Sequence, residues 1–577
     1  MKPVNKLIYP KRRGSILIIS MIFVLVFCAM AVSMASLSGV NLQIAGNQCK
    51  ANSALSAAQS GLECGRYILK QTTLTLAGMP PMSNGLNYVT PDQADTVWAT
   101  LCSQIQNQPW VNDNAVQDGN EIVTPAINFG AANASFQVRF CRDVYSIRIE
   151  GIGVDGQVQR QVSINSTITK NNEVLNYAIA SRGRMWLAGD STIHGNIYSS
   201  WQYQNISPFN ISSDSTVNGT INTILSNINP DTNQPGPDLY ADKFDRYGNP
   251  VLDAHGNRAK TKMPYDLETL DANGSTMYDS QGNRVISSAD QIQGQCNDIG
   301  YNVNYGDEAV DMPGMKISDY DTSQYRSQTT ALSTSGISKV TEYFPHAAGN
   351  YSQSGGYGSQ KLSRYKYENQ TFSNKKVSAF SIQSGVLEGT LFKNCTFDGI
   401  LYLDCGATGG TYNNVRFENC TFNGPIITNT PDYSNSTNWW MKNCLYFTGT
   451  ETFQNSTDVP ATILAPNFNV NLGNTNPSSG ENNALTGAIV GGIVDIRGNA
   501  EIRGTVISMY DTSGYSSGYV SNIGATAGDG GSETTEPGDI GVINITPDLE
   551  QLLPSGVISP IVIKAWQDTY SEGQQLN

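Results

Sequence analysis

The sequence is poor in charge and in histidine for a chain of its length. Of its 577 residues, 15% are Asp, Glu, Lys or Arg, and only 3 are histidine. His194, His255 and His346 lie in separate segments, and no two aspartates are adjacent. Glycan cleavage needs paired carboxylates, and a nucleophilic triad needs a histidine beside its Ser or Cys. We therefore assign no catalytic residue and expect a non-catalytic protein.

The sequence also lacks the common motifs for metals and cofactors. Its 10 cysteines include no C-x-x-C pair, and there is neither an H-E-x-x-H motif nor a phosphate-binding glycine loop. The D-x-x-G-N phrases at 245–249, 253–257 and 279–283 suit tight turns. The D-A-N-G-S segment at 271–275 does not begin a complete calcium loop. We expect no metal and no cofactor.

The charge balance argues against a nucleic-acid partner. The formal net charge is −14, yet residues 1–13 carry five basic residues and no acidic one, which leaves −19 for the remainder. Binding to a phosphate backbone needs a basic face. We therefore expect no nucleic acid among the partners of this acidic body.

An uncharged apolar run at 15–37 follows the basic segment directly. At about 1.5 Å per residue a helix of this length crosses a bilayer, and the basic residues keep its N-terminal side cytoplasmic. A secretory signal peptide is the alternative, but it would end at a small-residue cleavage site. Helical composition instead continues to residue 70 without proline. The pattern predicts one membrane-anchored helix over 15–70.

The segment combines a basic leader ending at Gly14, an apolar run from Ser15, and the stretches A-G-N-Q (45–48) and A-L-S-A-A-Q-S-G-L-E (54–63). With these features it resembles the N-terminus of type IV pilins, and in particular of PilX-like minor pilins. The resemblance implies that a prepilin peptidase cuts between Gly14 and Ser15, and that other pilins or pseudopilins are partners. It also implies a single span in a bacterial inner membrane, with an exported C-terminal domain at a pilus tip or cell surface. An uncleaved anchor is the alternative.

One position departs from the family. Most pilins carry Glu five residues into the mature chain, where this sequence has Ile19. In the family that carboxylate is thought to compensate the N-terminal amine of a neighbouring subunit, because an unpaired charge in the membrane is costly. A chain without it fits poorly inside a filament and suits a tip or an anchor, so entry into a filament stays open.

Residues 71–170 are expected to form a small α+β head like that of a pilin. The alternation of residues 136–168, with a glycine-containing turn, predicts antiparallel strands packed on the second half of the helix. Cys102 and Cys141 both lie in this region. An exported protein could oxidise them to a disulfide, and two ordinary buried thiols are the alternative.

Related phrases repeat in the second half of the chain. They are KYENQTFSN (366–374), LFKNCTFDG (391–399), RFENCTFNG (416–424) and MKNCLYFTG (441–449). Their alignment predicts three columns at a spacing of 24 to 25 residues: Phe372, Phe397 and Phe422; Asn369, Asn394 and Asn419; and Cys395, Cys420 and Cys444. Such a period predicts coils stacked about 4.8 Å apart, with the phenylalanine rings inside. A zinc or redox site in the cysteine column is disfavoured, since neighbours in register point alongside each other.

A second repeat has a period of 24 residues. It relates RMWLAGDSTIHGNIYSS (184–200) to SSDSTVNGTINTILS (212–226), and a similar phrase, IVDIRGNAEIRGTVIS, returns at 493–508. These patterns predict a mostly β protein with a long N-terminal membrane helix, a small α+β pilin-like head, and a right-handed parallel β-helix with a loop-rich insertion. The expected segments are a leader (1–14), the helix (15–70), the head (71–170), first β-helix coils (171–226), the insertion (227–345), the main β-helix (346–510) and a C-terminal segment (511–577).

The expected function is a non-catalytic structural or adhesive surface component of a type IV pilus or type II secretion apparatus. The alternative is a membrane-tethered β-helical enzyme or binding protein that acts on surface polysaccharide. Carboxylates clustered in a groove would favour the enzyme.

Overall fold

The computed structural model describes most of the chain after residue 14. The described residues are 15–77, 88–128, 134–187, 191–201, 208–212, 215–224, 228–229, 234–235, 239–242, 260–263, 265–268, 303–304, 312–343, 361–381, 386–405, 411–430, 442–454, 461–473, 485–496, 498–510, 520–524, 542–548 and 555–565. The protein is mostly β with one long apolar N-terminal helix. It divides into two compact units, one within 1–80, 89–169 and 561–577, the other within 81–88 and 170–560.

The first unit combines two helices with an antiparallel sheet. Helix α1 is Ser15–Ala77 and helix α2 is Pro91–Gln106. The strands are β1 (Val116–Asp118), β2 (Glu121–Val123), β3 (Ile127–Asn128), β4 (Ala134–Asp143), β5 (Ser146–Asp155) and β6 (Val158–Lys170). Strands β4, β5 and β6 pair antiparallel, which confirms the strands predicted from residues 136–168.

Helix α2 begins where its sequence provides a cap. The Thr90 side chain accepts the backbone N–H of Gln93, the Gln93 side chain accepts the N–H of Thr90, and Pro91 occupies the first turn. This capping box satisfies two donors that have no partner within the helix.

The sheet of the first unit also contains the last strand that the structure describes. Ile561–Ala565 lies beside β6, at the end of the order β1-β2-β4-β5-β6. The sequence-based division placed these residues in a separate C-terminal segment, 511–577. A five-residue strand carries too little pattern to reveal its partner, and pairing with it covers the backbone groups that β6 would otherwise leave open.

Small residues bring α1 close to β5. A Cβ at Gly153 would lie 2.0 Å from the Ala54 carbonyl oxygen, and one at Gly151 would lie 2.1 Å from that of Ala58. Ala54 and Ala58 are themselves fully buried. The alanine-rich and glycine-rich stretch at 54–65 therefore forms the face on which the helix meets the sheet.

The second unit consists mainly of short strands. In its first stretch these are β7 (Tyr177–Ser181), β8 (Arg184–Leu187), β9 (Ser191–Ile193), β10 (Asn196–Ser199), β11 (Phe209–Ser212), β12 (Thr216–Val217), β13 (Ile221–Thr223), β14 (Ile228–Asn229), β15 (Gln234–Pro235), β16 (Leu239–Asp242), β17 (Lys260–Met263), β18 (Tyr265–Glu268) and β19 (Val303–Asn304).

Its second stretch begins with a short helix, α3 (Ser323–Ser327). The strands that follow are β20 (Thr330–Ala331), β21 (Lys339–Tyr343), β22 (Lys361–Glu368), β23 (Thr371–Val377), β24 (Phe380–Ser381), β25 (Leu387–Lys393), β26 (Thr396–Leu403), β27 (Thr411–Tyr412), β28 (Asn414–Glu418), β29 (Thr421–Phe422), β30 (Ile426–Thr428), β31 (Cys444–Thr448), β32 (Thr452–Phe453), β33 (Ala461–Leu472), β34 (Leu485–Thr486), β35 (Ala488–Ile496), β36 (Ala500–Arg503), β37 (Val506–Ser508), β38 (Val520–Ile523) and β39 (Ile543–Thr546). The strand Ile561–Ala565 is β40. Two short 3₁₀ turns are Glu173–Asn176 and Ile317–Asp319.

Most of these strands stack in three parallel ladders, which the chain visits in a fixed order. Ladder 1 runs β22, β25, β28, β31, β33, β35, β38, β8, β11 and β18. Ladder 2 contains β23, β26, β29 and β32, and separately β34, β36, β39, β9 and β12. Ladder 3 runs β20, β23, β26, β30, β33, β35, β37, β7, β10, β13 and β19. Strands β23, β26, β33 and β35 bend and so belong to two ladders each.

Chain order and stacking order differ in this unit. The first strands of the unit, β7, β8 and β9, lie in the middle of the stack, because they pair on one side with β10, β11 and β12 and on the other with β37, β38 and β39. The chain therefore builds one end first and then winds back from the opposite end. This stacking order accounts for the similar phrase at 493–508. Leu187 and Ile496 occupy equivalent positions of the stack, because each pairs with Ile523 in the same aliphatic column.

Segment 312–331 runs along the outside of the stack. Tyr320 bridges to Val557, Thr322 Oγ1 donates to the Thr428 carbonyl at 2.6 Å, and Arg326 pairs with Asp404 at 2.8 Å. Strand β21 then pairs antiparallel with β22. The segment covers a second apolar layer on the outer side of ladder 3, formed by Tyr198, Tyr402, Ile427, Leu464, Val490 and Ile507.

Candidate anchor and stacked ladders

The first half of α1 exposes its apolar side chains. Ile16, Phe23 and Leu42 are 74%, 57% and 76% exposed, whereas the second half buries Leu62 and Ile68 in the first unit. By length and composition α1 can cross a membrane. The chain thus has one N-terminal apolar helix suited to a membrane anchor.

The predicted processing point lies at the start of this helix. Gly14 is outside the described residues, and Ser15 is the first residue of α1. Ile19, five residues into the predicted mature chain, is 52% exposed on the helix. Cleavage between Gly14 and Ser15 therefore remains a prediction.

Cys102 and Cys141 are free thiols in the structure, so the predicted disulfide is not formed. Phe136, Val138 and Phe140 of β4 face the core, and the next residue, Cys141, is turned to the opposite side of the strand by the two-residue alternation. Its Sγ lies 3.7 Å from a carboxylate oxygen of Glu121. Cys102 is buried in α2, and burial raises its thiol pKa to about 11. The bridge is replaced by the alternative of two separate thiols.

Phe372, Phe397 and Phe422 lie at equivalent positions of β23, β26 and β29, which pair parallel in ladder 2. Their rings stack inside the unit, with centroids 5.5 Å and then 5.1 Å apart. Phe453 continues the column at 4.9 Å, although it is 31 residues beyond Phe422. A second buried column, Tyr367, Phe392, Phe417 and Phe447, packs beside it edge to face.

Asn369, Asn394 and Asn419 occupy the turns between ladders 1 and 2. Each has a positive φ of 50° to 53°, a left-handed conformation that Asn tolerates better than most residues. The Asn394 amide donates to the Asn369 side-chain oxygen at 3.3 Å, and the Asn419 side chain accepts the N–H of Thr450 at 3.0 Å. Asparagine therefore suits these positions because it tolerates the left-handed turn conformation as well as because it can form side-chain hydrogen bonds between coils.

The cysteine column holds for Cys395 and Cys420 but is wrong for Cys444. Cys395 and Cys420 precede the paired Thr396 and Thr421 and are both buried. Cys444 instead pairs with Asn414 and Asn469 in ladder 1. The fourth phrase contains an asparagine–cysteine pair, but the spacing of paired residues increases from 25, between Thr390 and Val415, to 30, between Val415 and Leu445, which places the pair one strand earlier.

Glu451 occupies the place expected for the third cysteine. The turn at 448–452 has one residue more than that at 418–421, and Gly449 takes the left-handed position with φ +78°. Glu451 is 1% exposed, and its Oε2 accepts the backbone N–H of Cys420 at 2.8 Å. Burial raises the pKa of this carboxyl to about 8. Because the turn differs from the earlier one by a single inserted residue, the alignment of the repeats does not indicate the contact between Glu451 and Cys420.

A hydrogen bond between the two thiols lowers the pKa of Cys395 to about 7 and raises that of Cys420. Within the described residues, no group of three or more His, Cys, Asp or Glu side chains is placed to hold a metal ion.

A buried ionic clamp fastens β21 to the stack. Arg364 has no exposed surface; its Nε lies 2.7 Å from Glu342 Oε2, and its Nη2 donates to Asn414 Oδ1 at 2.7 Å. Arg416 reaches the other Glu342 oxygen at 2.6 Å. Gly389 leaves room for this, because a Cβ there would lie 2.6 Å from the Asn414 carbonyl oxygen and 3.1 Å from Arg364 Nη1. Sequence patterns did not indicate the clamp, since its ion pairs and hydrogen bond join residues 22 to 74 positions apart.

The outer side of ladder 2 presents two polar columns, here called the threonine face. It consists of Thr371, Thr396, Thr421 and Thr452, and beside them Ser373, Asp398, Asn423 and Gln454. Its side chains point outward because the intervening phenylalanines point inward. The four threonine hydroxyls make no side-chain hydrogen bond to any residue that the structure describes.

Of the three histidines, His194 lies in the described chain, between β9 and β10. His255 and His346 lie outside it, as do the D-x-x-G-N phrases and the 271–275 segment.

No protein-family model and no curated protein matches the chain. Among solved structures, it is similar to the competence-associated pilin ComZ from Thermus thermophilus, with 13% sequence identity and a TM-score of 0.21. That similarity covers 91% of this chain and 98% of the other.

Proposed function

We propose that the chain is a non-catalytic, membrane-anchored surface component, structural or adhesive, of a type IV pilus or type II secretion apparatus. The observation that carries the proposal is the difference in exposure between the two halves of α1. Its first half exposes a continuous apolar surface, while its second half is buried against an antiparallel sheet. A helix built this way has one half suited to lipid and one half that holds a folded domain.

The second unit is, in this proposal, a right-handed parallel β-helix. Three parallel ladders, visited in a fixed order, support that architecture, and stacked aromatic and aliphatic columns give it a rigid interior. A rigid stack suits display outside the cell, with the unit exported from a bacterial inner membrane. Prepilin peptidase and other pilins or pseudopilins are the proposed partners.

The first experiment locates the mature N-terminus. The full chain is produced with and without a prepilin peptidase, and intact-protein mass spectrometry identifies its first residue. We expect Ser15 with the peptidase, and loss of cleavage in the Gly14→Val variant. The control, Gly39→Ala, lies within α1 and should be cut normally. A wild-type chain that retains Met1 in the presence of the peptidase contradicts the processing step.

A second experiment tests whether the chain enters a filament. Surface-accessible protein is compared with sheared filament fractions for the wild type and for Ile19→Glu. If the missing carboxylate keeps the chain at a tip or in the membrane, Ile19→Glu should increase its share in filaments. A chain that never becomes accessible from outside the cell contradicts the proposed function itself.

A further inference from the structure

We propose that the threonine face binds an extended, neutral, β-linked glycan, an inference that rests on the surface display proposed above. In-register pairing spaces its rows about 4.8 Å apart. Each row offers one threonine and one further polar side chain, so a linear polymer lying along the stack meets similar groups repeatedly.

The chemistry of the face favours a hydroxyl-rich partner. Hydroxyl and amide groups both donate and accept, as do sugar hydroxyls. The four threonine hydroxyls accept and donate no side-chain hydrogen bond within the part of the protein that the structure describes. Binding a ligand through these hydroxyls would therefore break no hydrogen bond to any residue that the structure describes.

The charge of the face matches a neutral polymer. Asp398 is its one charged member, and it accepts a hydrogen bond from the Asn423 amide at 2.5 Å. The adjoining outer side of ladder 1 is instead crossed by ion pairs such as Lys366–Glu368 and Lys393–Glu418. Without Lys or Arg, the threonine face is unsuited to nucleic acids or acidic glycans. Without an apolar anchor, it is also unsuited to a protein partner.

A rigid protein surface allows individually weak hydrogen bonds to contribute to the affinity for a ligand. The phenylalanine column behind the face is buried and stacked, so the backbone that carries the threonines is fixed before any ligand arrives. A surface fixed in advance loses little conformational entropy on binding.

The test uses the full chain in detergent and measures co-sedimentation with amorphous β-1,4-glucan. Amylose, alginate and double-stranded DNA serve as comparison polymers. We expect the wild type to bind the β-glucan, and the double variant Thr396→Val, Thr421→Val to bind roughly tenfold more weakly, since two hydrogen-bonding hydroxyls are lost. The control is Thr341→Val, an exposed threonine on β21. Valine keeps the shape and strand preference, and circular dichroism and thermal unfolding verify that each variant is folded.

No binding of the folded wild type to β-glucan overturns the proposal, as does unchanged binding by the double variant. Preferential binding to alginate or DNA also overturns it. The surface-accessibility experiment is independent, so an accessible chain that ignores glycans refutes this inference and leaves the proposed function standing.

Discussion

Gly153 is the tightest contact between helix α1 and its sheet. A Cβ there would meet two backbone atoms, the Ala54 carbonyl oxygen at 2.0 Å and the Ala58 nitrogen at 2.4 Å. Backbone cannot rotate away as the end of a side chain can. The residue therefore sets the distance at which an exceptionally long helix is held by its domain.

Gly153→Ala should destabilise the first unit by about 1–3 kcal/mol through overpacking. Hydrogen exchange in peptides from β5 and residues 54–65 should become faster, which mass spectrometry measures. The control is Gly156→Asn: this glycine has φ +63° and open space around it, and Asn tolerates that conformation. Equal protection in both variants would show that the helix does not seat on Gly153.

Glu451 is the second residue with a measurable consequence. Its carboxyl has an ordinary pKa of 4.5, raised to about 8 by burial in the folded protein. Folding therefore favours the protonated form, and the stability contributed by that preference is lost as pH rises from about 4.5 to about 8. Glu451→Gln keeps an acceptor for the Cys420 N–H and removes the titration.

We expect Glu451→Gln to gain stability over the wild type as pH rises through this window, by up to a few kcal/mol. Thermal unfolding at pH 4.5, 6.5 and 8.5 measures the difference. Glu501→Gln, at a position whose side chain is 43% exposed, is the control variant. A constant difference between wild type and Glu451→Gln across these pH values would refute the burial effect.

At the scale of elements, the sequence predicted the long helix, the antiparallel strands and the phenylalanine column. These depend on local periodicity, which a sequence carries directly. It could not predict that β7 lies in the middle of the stack or that β40 joins β6, because those pairings join residues hundreds of positions apart. Cys444 was misplaced for a related reason: a repeat with insertions loses its register while keeping its composition. The ionic clamp and Glu451 depend on such insertions and long separations too.

Phe397→Asp tests the stack as an element. The change buries a charge between the rings of Phe372 and Phe422, which should cost several kcal/mol and expose residues 361–473 to protease. Membrane anchoring by α1 should be unaffected. Thr396→Asp is the matched control, because the Thr396 side chain, next to Phe397 in the sequence, faces outward. This substitution should change the free energy of unfolding by less than about 1 kcal/mol. Wild-type protease resistance in Phe397→Asp would contradict the internal column.

At the scale of the whole molecule, the second unit is an insertion into the first. The chain leaves the sheet after β6 and returns to it as β40, and the backbone N–H of Asn171 donates to the Pro560 carbonyl at 2.8 Å. The inserted segment thus begins and ends at neighbouring points. Insertions with adjacent ends add little strain to the host, since joining the ends closes only a short gap.

This connectivity predicts opposite outcomes for two deletions. Replacing residues 172–559 with a short Gly-Ser linker should leave α1 and the complete sheet folded, because β40 can still pair with β6. Ending the chain at residue 170 removes β40 together with the insertion, including Ile561, which is 3% exposed, and opens the edge of β6. Circular dichroism in detergent follows the thermal unfolding of both chains. We expect the internal deletion to unfold cooperatively, and the chain ending at residue 170 to melt at a lower temperature. Equal melting temperatures would show that β40 adds nothing to the sheet, and an unfolded internal deletion would show that the first unit depends on the insertion it carries.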